Sequence, residues 1–233
     1  MLKKIRHIFS MVLAVLGLTA LVWGVWPVRR IKLVQIIQPE SMQMQAAGAI
    51  RGLAVLETRQ VTLEWPESLR IGDQGSIDLV FAPVNAGVVA QPPAARFDDV
   101  YARYNLMAEG RLEAAGVRVN PADPRRESLP AGQTVKYSWR VSAQKAAIYP
   151  ANAWLLLRFL PLQGGIASEV PVFVHEIEIR ETSLLGLSGP AARVVGGIGM
   201  LISLALGYDV MISVPRWWSR HKTQRSPRSQ RVI

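Results

Sequence analysis

The sequence predicts an all-β domain, an antiparallel β-sandwich, held between two transmembrane α-helices. Three observations lead to this prediction. Two long apolar runs lie near the ends of the 233-residue chain, segments of alternating apolar and polar residues fill the part between them, and positive charge is concentrated beside the apolar runs. The chain has no cysteine, which excludes disulfides, iron–sulfur clusters and a thiolate nucleophile. Because its three histidines are far apart, we expect no histidine-built metal site and no cofactor.

The net charge of +10 is unevenly distributed along the chain. Residues 1–32 carry +6, residues 33–182 carry −2 and residues 183–233 carry +6. A nucleic-acid-binding domain would carry its excess on a folded face. Basic residues that flank apolar runs are instead typical of membrane proteins. We therefore expect membrane lipids as partners, and no nucleic acid.

The first apolar run, residues 8–28, contains 21 residues without a charge and follows a short N-terminal segment, residues 1–7. As a helix it would span roughly 30 Å, the hydrocarbon thickness of a bilayer. A cleaved signal peptide is the alternative, because three basic residues precede the run. We favour an uncleaved anchor, since the run is longer than a signal-peptide core and no A-x-A cleavage site follows it. The predicted membrane-interface residues at its end are Trp23, Trp26, Arg29 and Arg30.

The second predicted span covers residues 190–215 and follows the helix-start sequence Ser188-Gly189-Pro190. Its two charged residues, Arg193 and Asp209, are close enough to the ends to snorkel toward the interfaces. Trp217 and Trp218 follow as a second interfacial pair. The segment is apolar all round between residues 194 and 208, which indicates a membrane span rather than an amphipathic helix buried in a soluble core.

Residues 216–233 form a basic tail with no acidic residue. The positive-inside rule places this tail in the cytoplasm, and two spans then place the N-terminus there and the intervening domain outside it. We expect the tail to be disordered in water and to be attracted to anionic lipid headgroups rather than to nucleic acid. The predicted headgroup contacts are Arg216, Arg220, Lys222, Arg225, Arg228 and Arg231.

The region between the spans divides into a linker, residues 29–48, and the β-domain, residues 49–182. Val61, Leu63 and Trp65 alternate with Thr62 and Glu64, the period of a half-buried strand. The same pattern recurs between proline- and glycine-rich turns, which is typical of a β-sandwich. The predicted strands cover residues 61–65, 77–81, 135–141, 153–159 and 170–180.

Two details of this domain carry further expectations. Residues 98–112 fit either a short helix or a pair of strands. The turn Leu129-Pro130-Ala131-Gly132, followed by a strand that contains Trp139, is similar to turns in immunoglobulin-like modules of bacterial surface proteins. The resemblance covers about 60 residues and implies an immunoglobulin-like sandwich, without implying any site residue.

The acidic residues and His175 were the candidates for catalysis. His175 is predicted in the middle of a strand, and no G-x-S-x-G motif presents a serine nucleophile. Asp73, Asp78, Asp98 and Asp99 fit no calcium loop and are expected to be turn and surface residues. Glu176, Glu178 and Glu181 are expected on the solvated face of the last strand. We therefore expect that the protein is not an enzyme.

The second span contains a stripe of small residues that recur every four positions: Gly199, Ser203 and Gly207. Such a stripe lies on one helix face and allows another helix to approach closely. Gly17 and Gly24 form a corresponding small face on the first span. The expected partner is the chain's own first span or a helix of another membrane protein.

These observations favour a non-catalytic interaction or scaffold module, an accessory subunit of a membrane assembly. One alternative is a sensor, in which the β-domain binds a ligand and the spans relay the signal to the tail. A second alternative is an envelope hydrolase that uses carboxylates. Fold alone does not choose among these functions.

Overall fold

The computed structural model describes the backbone of residues 2–37, 57–84 and 100–220, and the side chains of these residues except for 2–4 and 209–220. The chain divides into two compact units, a helix pair and a β-domain of residues 27–188. The helices are α1 (Leu2–Val25), α2 (Val100–Arg103) and α3 (Gly189–Arg220). The strands are β1 (Arg30–Ile37), β2 (Arg59–Pro66), β3 (Leu69–Arg70), β4 (Gly75–Pro83), β5 (Tyr104–Ala114), β6 (Arg118–Asn120), β7 (Arg125–Ser128), β8 (Val135–Ser142), β9 (Ile148–Pro161) and β10 (Ser168–Thr182).

Among the described residues, two segments are long and apolar enough to cross a membrane, Ile5–Val25 in α1 and Gly189–Tyr208 in α3. Helix α3 begins at the predicted start signal but is 32 residues long, about 48 Å. It therefore extends five residues into the predicted tail, residues 216–233. No glycine follows Pro215 before Arg220, so the sequence there contains no common helix-ending residue.

The described strands form two five-stranded sheets. The first has the order β1-β2-β4-β8-β6 and the second has the order β3-β10-β9-β5-β7. Neighbouring strands are antiparallel except for the short pair β3–β10. The prediction of a mostly β domain flanked by two apolar helices is confirmed.

The five strands predicted from alternation are all present and all extend beyond the predicted limits. In β8, Val135, Tyr137, Trp139 and Val141 are buried, and the residues between them are exposed or only half-buried. This pattern places one face of each strand in the core, as period two requires. The strands could thus be predicted because each buries the side chains of one face.

Two other segments differ from the expectations. Residues 98–112 contain α2 followed by β5, a combination of the two predicted possibilities; residues 98 and 99 lie outside the described residues. The predicted linker 29–48 is wrong for Arg30–Ile37, which pairs with β2 along its whole length, while residues 38–48 lie outside the described residues. The first half of this strand, Arg30-Ile31-Lys32-Leu33, does alternate, but Val34 and Ile36 make the outward side apolar in the second half, so the pattern is too short to stand out.

The two sheets share one apolar core, and Tyr137 of β8 contacts β5 across it. The Tyr137 hydroxyl donates a hydrogen bond to the backbone oxygen of Ala108 in β5, at 2.7 Å. A side chain at Gly110 would place its Cβ 2.5 Å from Tyr137 Cγ. Burial raises the pKa of Tyr137 well above its usual value. The tyrosine ring therefore lies directly against the β5 backbone, and position 110 requires glycine.

We predict that Gly110→Ala destabilises the β-domain by about 1–3 kcal/mol, because the added methyl overpacks the core against a ring that cannot move aside. The measurement is thermal unfolding of the full chain in detergent, followed by tryptophan fluorescence. Asn105→Ala, at an exposed position of the same strand, is the control and should leave the midpoint nearly unchanged. Equal midpoints for wild type and Gly110→Ala would contradict the contact.

Candidate functional site

The predicted small-residue stripe of the second span faces α1. A Cβ on Gly199 would lie 3.4 Å from the Cα of Gly17, and a Cβ on Gly207 would lie 3.6 Å from Ser10 Oγ. Ser203 is buried in the same contact. In the structure, the chain's own first helix occupies this face, one of the two partners that the sequence left open.

Gly196, which is not part of the predicted stripe, lies against the backbone of α1. A Cβ at this position would lie 2.7 Å from the backbone nitrogen of Leu21 and 2.8 Å from the backbone oxygen of Gly17. Real Cβ atoms do not come this close to backbone, so any larger residue would push the helices apart. A repeat that combines three- and four-residue spacings, 196–199–203–207, would have identified it.

Two serines connect the helices by reciprocal hydrogen bonds. Ser10 Oγ donates to the backbone oxygen of Ser203, and Ser203 Oγ donates to the backbone oxygen of Ser10, each at 3.0 Å. The two hydroxyl oxygens are 3.4 Å apart. Side-chain hydrogen bonds of this kind contribute to helix association where the surroundings are apolar. Ser203 was predicted as a small residue, whereas its bonding to Ser10 could not be predicted without the register of the helices.

Arg193 lies in the first turns of α3 and reaches the end of α1. Its Nη1 donates to the backbone oxygen of Gly24 at 3.1 Å. Gly24 belongs to the last turn of α1, whose carbonyls have no partner within the helix. A cation at this end also complements the helix dipole. Arg193 therefore caps α1, and Gly24 makes room for it, since a Cβ there would lie 2.7 Å from Arg193 Cγ.

The residues predicted at the membrane interface have different surroundings. Trp23 is half-buried, and Trp26 and Arg29 are exposed. Arg30 begins β1 and donates to Asp78 Oδ2 at 2.6 Å and to the backbone oxygen of Ser76 at 3.3 Å. The Arg30 guanidinium is thus engaged in contacts within the β-domain. Trp217, Trp218, Arg216 and Arg220 belong to the end of α3, where the structure describes the backbone, and Lys222, Arg225, Arg228 and Arg231 lie outside the described residues.

Two of the acidic residues considered for catalysis, Asp73 and Asp78, are paired with arginines, at 3.8 Å from Arg70 and 2.6 Å from Arg30, respectively. Burial raises the pKa of Asp78, but hydrogen bonds from Ser138 and Arg30 and the nearby charges of Lys136 and Arg30 outweigh it and hold this pKa below its usual value. Asp98 and Asp99 lie outside the described residues. Among the residues that the structure describes, no three His, Cys, Asp or Glu side chains are grouped so that they could hold a metal ion.

His175 lies on the inward side of β10, between aromatic rings of both sheets. Its ring centroid is 5.9 Å from that of Trp65 in β2 and 6.1 Å from that of Phe173, on which it stacks. Trp65 and Phe173 are buried, and His175 is half-buried. The histidine therefore belongs to an aromatic cluster at the side of the core, next to the strand β1.

An ion pair between the buried Arg59 and the half-buried Glu57 fixes the turn at residues 129–132. The Arg59 side chain is completely buried; it pairs with Glu57 and donates to the backbone oxygen of Gln133 at 2.7 Å. Its guanidinium carbon lies 5.0 Å from the centre of the Phe81 ring. Glu57 in turn accepts a hydrogen bond from the backbone nitrogen of Gly132 at 2.9 Å. This network holds the start of β2 to residues 130–133 and is structural.

The strand β1 is the edge of the first sheet and is largely exposed. Ile31, on the inward side, is 38% exposed beside the buried Trp65 of β2. Val34 and Ile36, on the outward side, are 48% and 43% exposed. Within the described parts of the chain, no strand pairs with the other side of β1. An exposed apolar edge strand offers backbone donors and acceptors to another strand. This edge and the neighbouring aromatic cluster form the candidate interaction site.

Glu181 was expected on the solvated face with Glu176 and Glu178, but it is buried, with 3% of its surface exposed. Its odd number places it on the inward side of β10, a parity that the sequence could have shown. Glu181 Oε1 accepts a hydrogen bond from the backbone nitrogen of Ala143 at 3.1 Å, while Oε2 has no hydrogen-bond partner. Burial, opposed by the Ala143 bond and aided by the charge of Asp73, raises the pKa of Glu181 to about 7.

Comparison with known proteins does not assign the chain to a family. No protein-family model matches the chain, and no curated protein is significantly similar to it in sequence.

We predict that Ser10→Cys with Ser203→Cys forms a disulfide within the chain, because the two hydroxyl oxygens are already 3.4 Å apart. The chain has no native cysteine, so the product is unambiguous on a non-reducing gel. Adding Gly196→Leu should prevent the cross-link by separating the helices. Gly197→Leu is the matched control, because a Cβ there meets no atom within 4 Å. Equal cross-linking in both backgrounds would contradict the helix contact.

We predict that the β-domain becomes less stable as the pH rises from about 5 to 8. The unfolded chain releases the Glu181 proton near pH 4.5, whereas the folded domain holds it to about pH 7, so unfolding between these values releases a proton. Glu181→Gln should remove this dependence and exceed wild type at pH 8 by roughly 1–3 kcal/mol. The measurement is chemical unfolding of the full chain at several pH values. A difference from wild type that is the same at pH 5 and pH 8 would refute the assignment; Glu113→Gln, at an exposed position, is the control.

Proposed function

We propose that this chain is a membrane-anchored, non-catalytic interaction subunit of a larger membrane assembly. In this proposal two transmembrane helices hold an extracytoplasmic, immunoglobulin-like β-sandwich, and both termini are cytoplasmic. The basic residues beside both apolar helices support this orientation. The partner is another polypeptide of the same membrane, bound through the β-domain.

The single observation that carries the proposal is the exposed edge strand β1. It is eight residues long, and three of its apolar side chains are more than a third exposed. Such edges promote uncontrolled pairing, and proteins normally cover, shorten or charge them. A long apolar edge is consistent with a surface that another chain covers in the assembled state.

The helix pair supports the same proposal in a different way. Its small residues already pack within the chain, at Gly17, Gly196 and Gly199. The pair is therefore complete as an anchor and does not need a partner helix in this groove. Recognition is then left to the β-domain, and the outer surface of the helices, which is apolar, suits lipid.

A sensor is the second candidate, and Glu181 is the observation that favours it. This buried carboxyl has a pKa of about 7 and lies eight residues before the start of α3. A change of pH outside the cytoplasm would then alter its charge close to the transmembrane helix along the chain. The ligand in this alternative is the proton.

To test the interaction function, the tagged full chain is purified in mild detergent from the source membranes and the bound proteins are identified and quantified. We expect a stoichiometric membrane protein that is lost from Val34→Lys with Ile36→Lys, because charges at these positions oppose strand pairing. Ile148→Lys is the control, since Ile148 is equally apolar and exposed but lies on β9. Retention of the partner by the β1 variant, or recovery of no partner by wild type, would contradict the proposal.

A further inference from the structure

The turn between β10 and α3 holds a leucine in a backbone conformation that leucine rarely adopts. The backbone nitrogens of Leu184 and Leu187 each donate to the other residue's backbone oxygen, at 3.2 Å and 2.9 Å, so the turn has two central residues. These are Leu185 and Gly186, with φ of 52° and 83°. Positive φ at both positions is the pattern of a type I′ turn, which favours Asn, Asp or Gly. Among the described residues, Leu185 is the one residue other than glycine with a positive φ.

The Leu185 side chain is also almost fully exposed, at 96%. A single exposed leucine is common in soluble proteins. An exposed leucine in the left-handed region is different, because Asn or Asp at this position would relieve the strain and suit water at the same time. Backbone strain of this kind points to a requirement for the particular side chain. Leucine here is favourable only if an apolar environment receives it.

Both helices join the β-domain at the end where this turn lies. Four residues connect α1 to β1, and one residue separates the end of β10 from the turn. The backbone oxygen of Arg29 accepts a hydrogen bond from Glu67, just before β3, and that of Thr182 accepts one from Ile71, just after β3. Strand β3 therefore brings the start of β1 and the end of β10 to the same end of the domain. The apolar segment Gly189–Tyr208 begins two residues after the turn.

The parts of the chain outside the described residues attach elsewhere. Residues 38–56 follow Ile37, and residues 85–99 follow Val84, whose backbone nitrogen donates to Thr58 just before β2. This is the opposite end of the first sheet, because Ile37 lies seven residues, about 24 Å, beyond Arg30 along β1. Residues 221–233 follow the far end of α3, a helix of 32 residues. The nearest apolar environment along the chain is therefore the bilayer that the proposed span enters.

We propose that the turn at residues 184–187 lies in the interfacial region of the bilayer and inserts the Leu185 side chain among the lipid chains. Amphipathic elements at such an interface bury their apolar groups about 5–10 Å into the boundary between headgroups and acyl chains. No charged residue occurs between Glu181 and Arg193, so the contact is apolar and requires no anionic headgroup. The inference rests on the membrane anchoring in the proposed function and adds a lipid contact that is separate from the candidate site at β1.

The test uses the full chain, which has no cysteine, with single labelling sites introduced into it. Leu185→Cys carries an environment-sensitive fluorophore, and the protein is reconstituted into phosphatidylcholine nanodiscs with lipids that bear a quenching spin label on the acyl chain, either near the headgroup or near the chain end. Ile166→Cys is the matched control, because Ile166 is 95% exposed and lies before β10, a strand of 15 residues away from the turn. Leu16→Cys, at an exposed position in α1, reports on the span itself.

We expect the shallow spin label to quench the fluorophore at position 185 and not at position 166. Aqueous iodide should quench at position 185 roughly threefold less than at position 166, because an interfacial side chain is shielded from water. Including anionic phosphatidylglycerol should leave both results unchanged. The deep spin label should quench the fluorophore at position 16.

Three outcomes would overturn the inference. Equal iodide quenching at positions 185 and 166 would place the turn in water, and with quenching of position 16 by the deep label the anchoring would still stand. Protection of position 185 from iodide without quenching by either lipid would assign Leu185 to a contact with protein. Absence of lipid quenching at position 16 would refute the membrane anchoring itself. Recovery of no stoichiometric partner from the source membranes, with lipid quenching at position 185, would contradict the interaction function and leave this inference intact.

Discussion

The β-domain depends on the mutual burial of two sheet faces. The chain has no cysteine, so no disulfide contributes and apolar packing must hold the fold together. Tyr137 shows how tight this packing is, because its ring rests on the backbone at Gly110 and its hydroxyl bonds to Ala108. The same requirement explains the candidate site. Strand β1, at the edge of the first sheet, is less completely buried: Ile31, Val34 and Ile36 are more than a third exposed, whereas Ile37 at its end belongs to the core.

In the proposed membrane setting the helix pair follows a different constraint, because lipid provides no hydrophobic drive to bring apolar helices together. Two kinds of contact hold the helices together instead: close backbone approach at Gly17 and Gly196, and the reciprocal hydrogen bonds of Ser10 and Ser203. Arg193 satisfies two needs in one contact. It gives a cation near an apolar segment a polar partner, and it supplies a donor to a carbonyl at the end of α1 that no helical amide can reach.

The sequence was informative wherever a segment has one buried side. Strand β8 and the stripe at Gly199 and Ser203 both show the period of their structure, so they could be predicted. Strand β1 was missed because it alternates only in its first half, at Arg30-Ile31-Lys32-Leu33. Its second half is apolar on the outward side as well, since an edge strand that is not fully covered has no burial pattern to impose strict alternation. Glu181 was wrongly expected on the solvated face for a related reason. Its charge suggests an exposed side chain, whereas its odd position in the alternation of β10 places the side chain in the interior. Gly196 and Arg193 depend on the register of two helices, which neither helix encodes alone.

The position of β1 in the chain bears on the proposed function. Strand β1 is the edge of the first sheet within the described residues, and proteins normally cover, shorten or charge such an edge. Its first half carries Arg30 and Lys32, whereas Val34 and Ile36 leave its second half apolar and exposed. Four residues join α1 to β1 along the chain. In the proposed assembly, a partner anchored in the same membrane would therefore meet this edge at high effective concentration, and modest strand pairing would suffice for a stable complex.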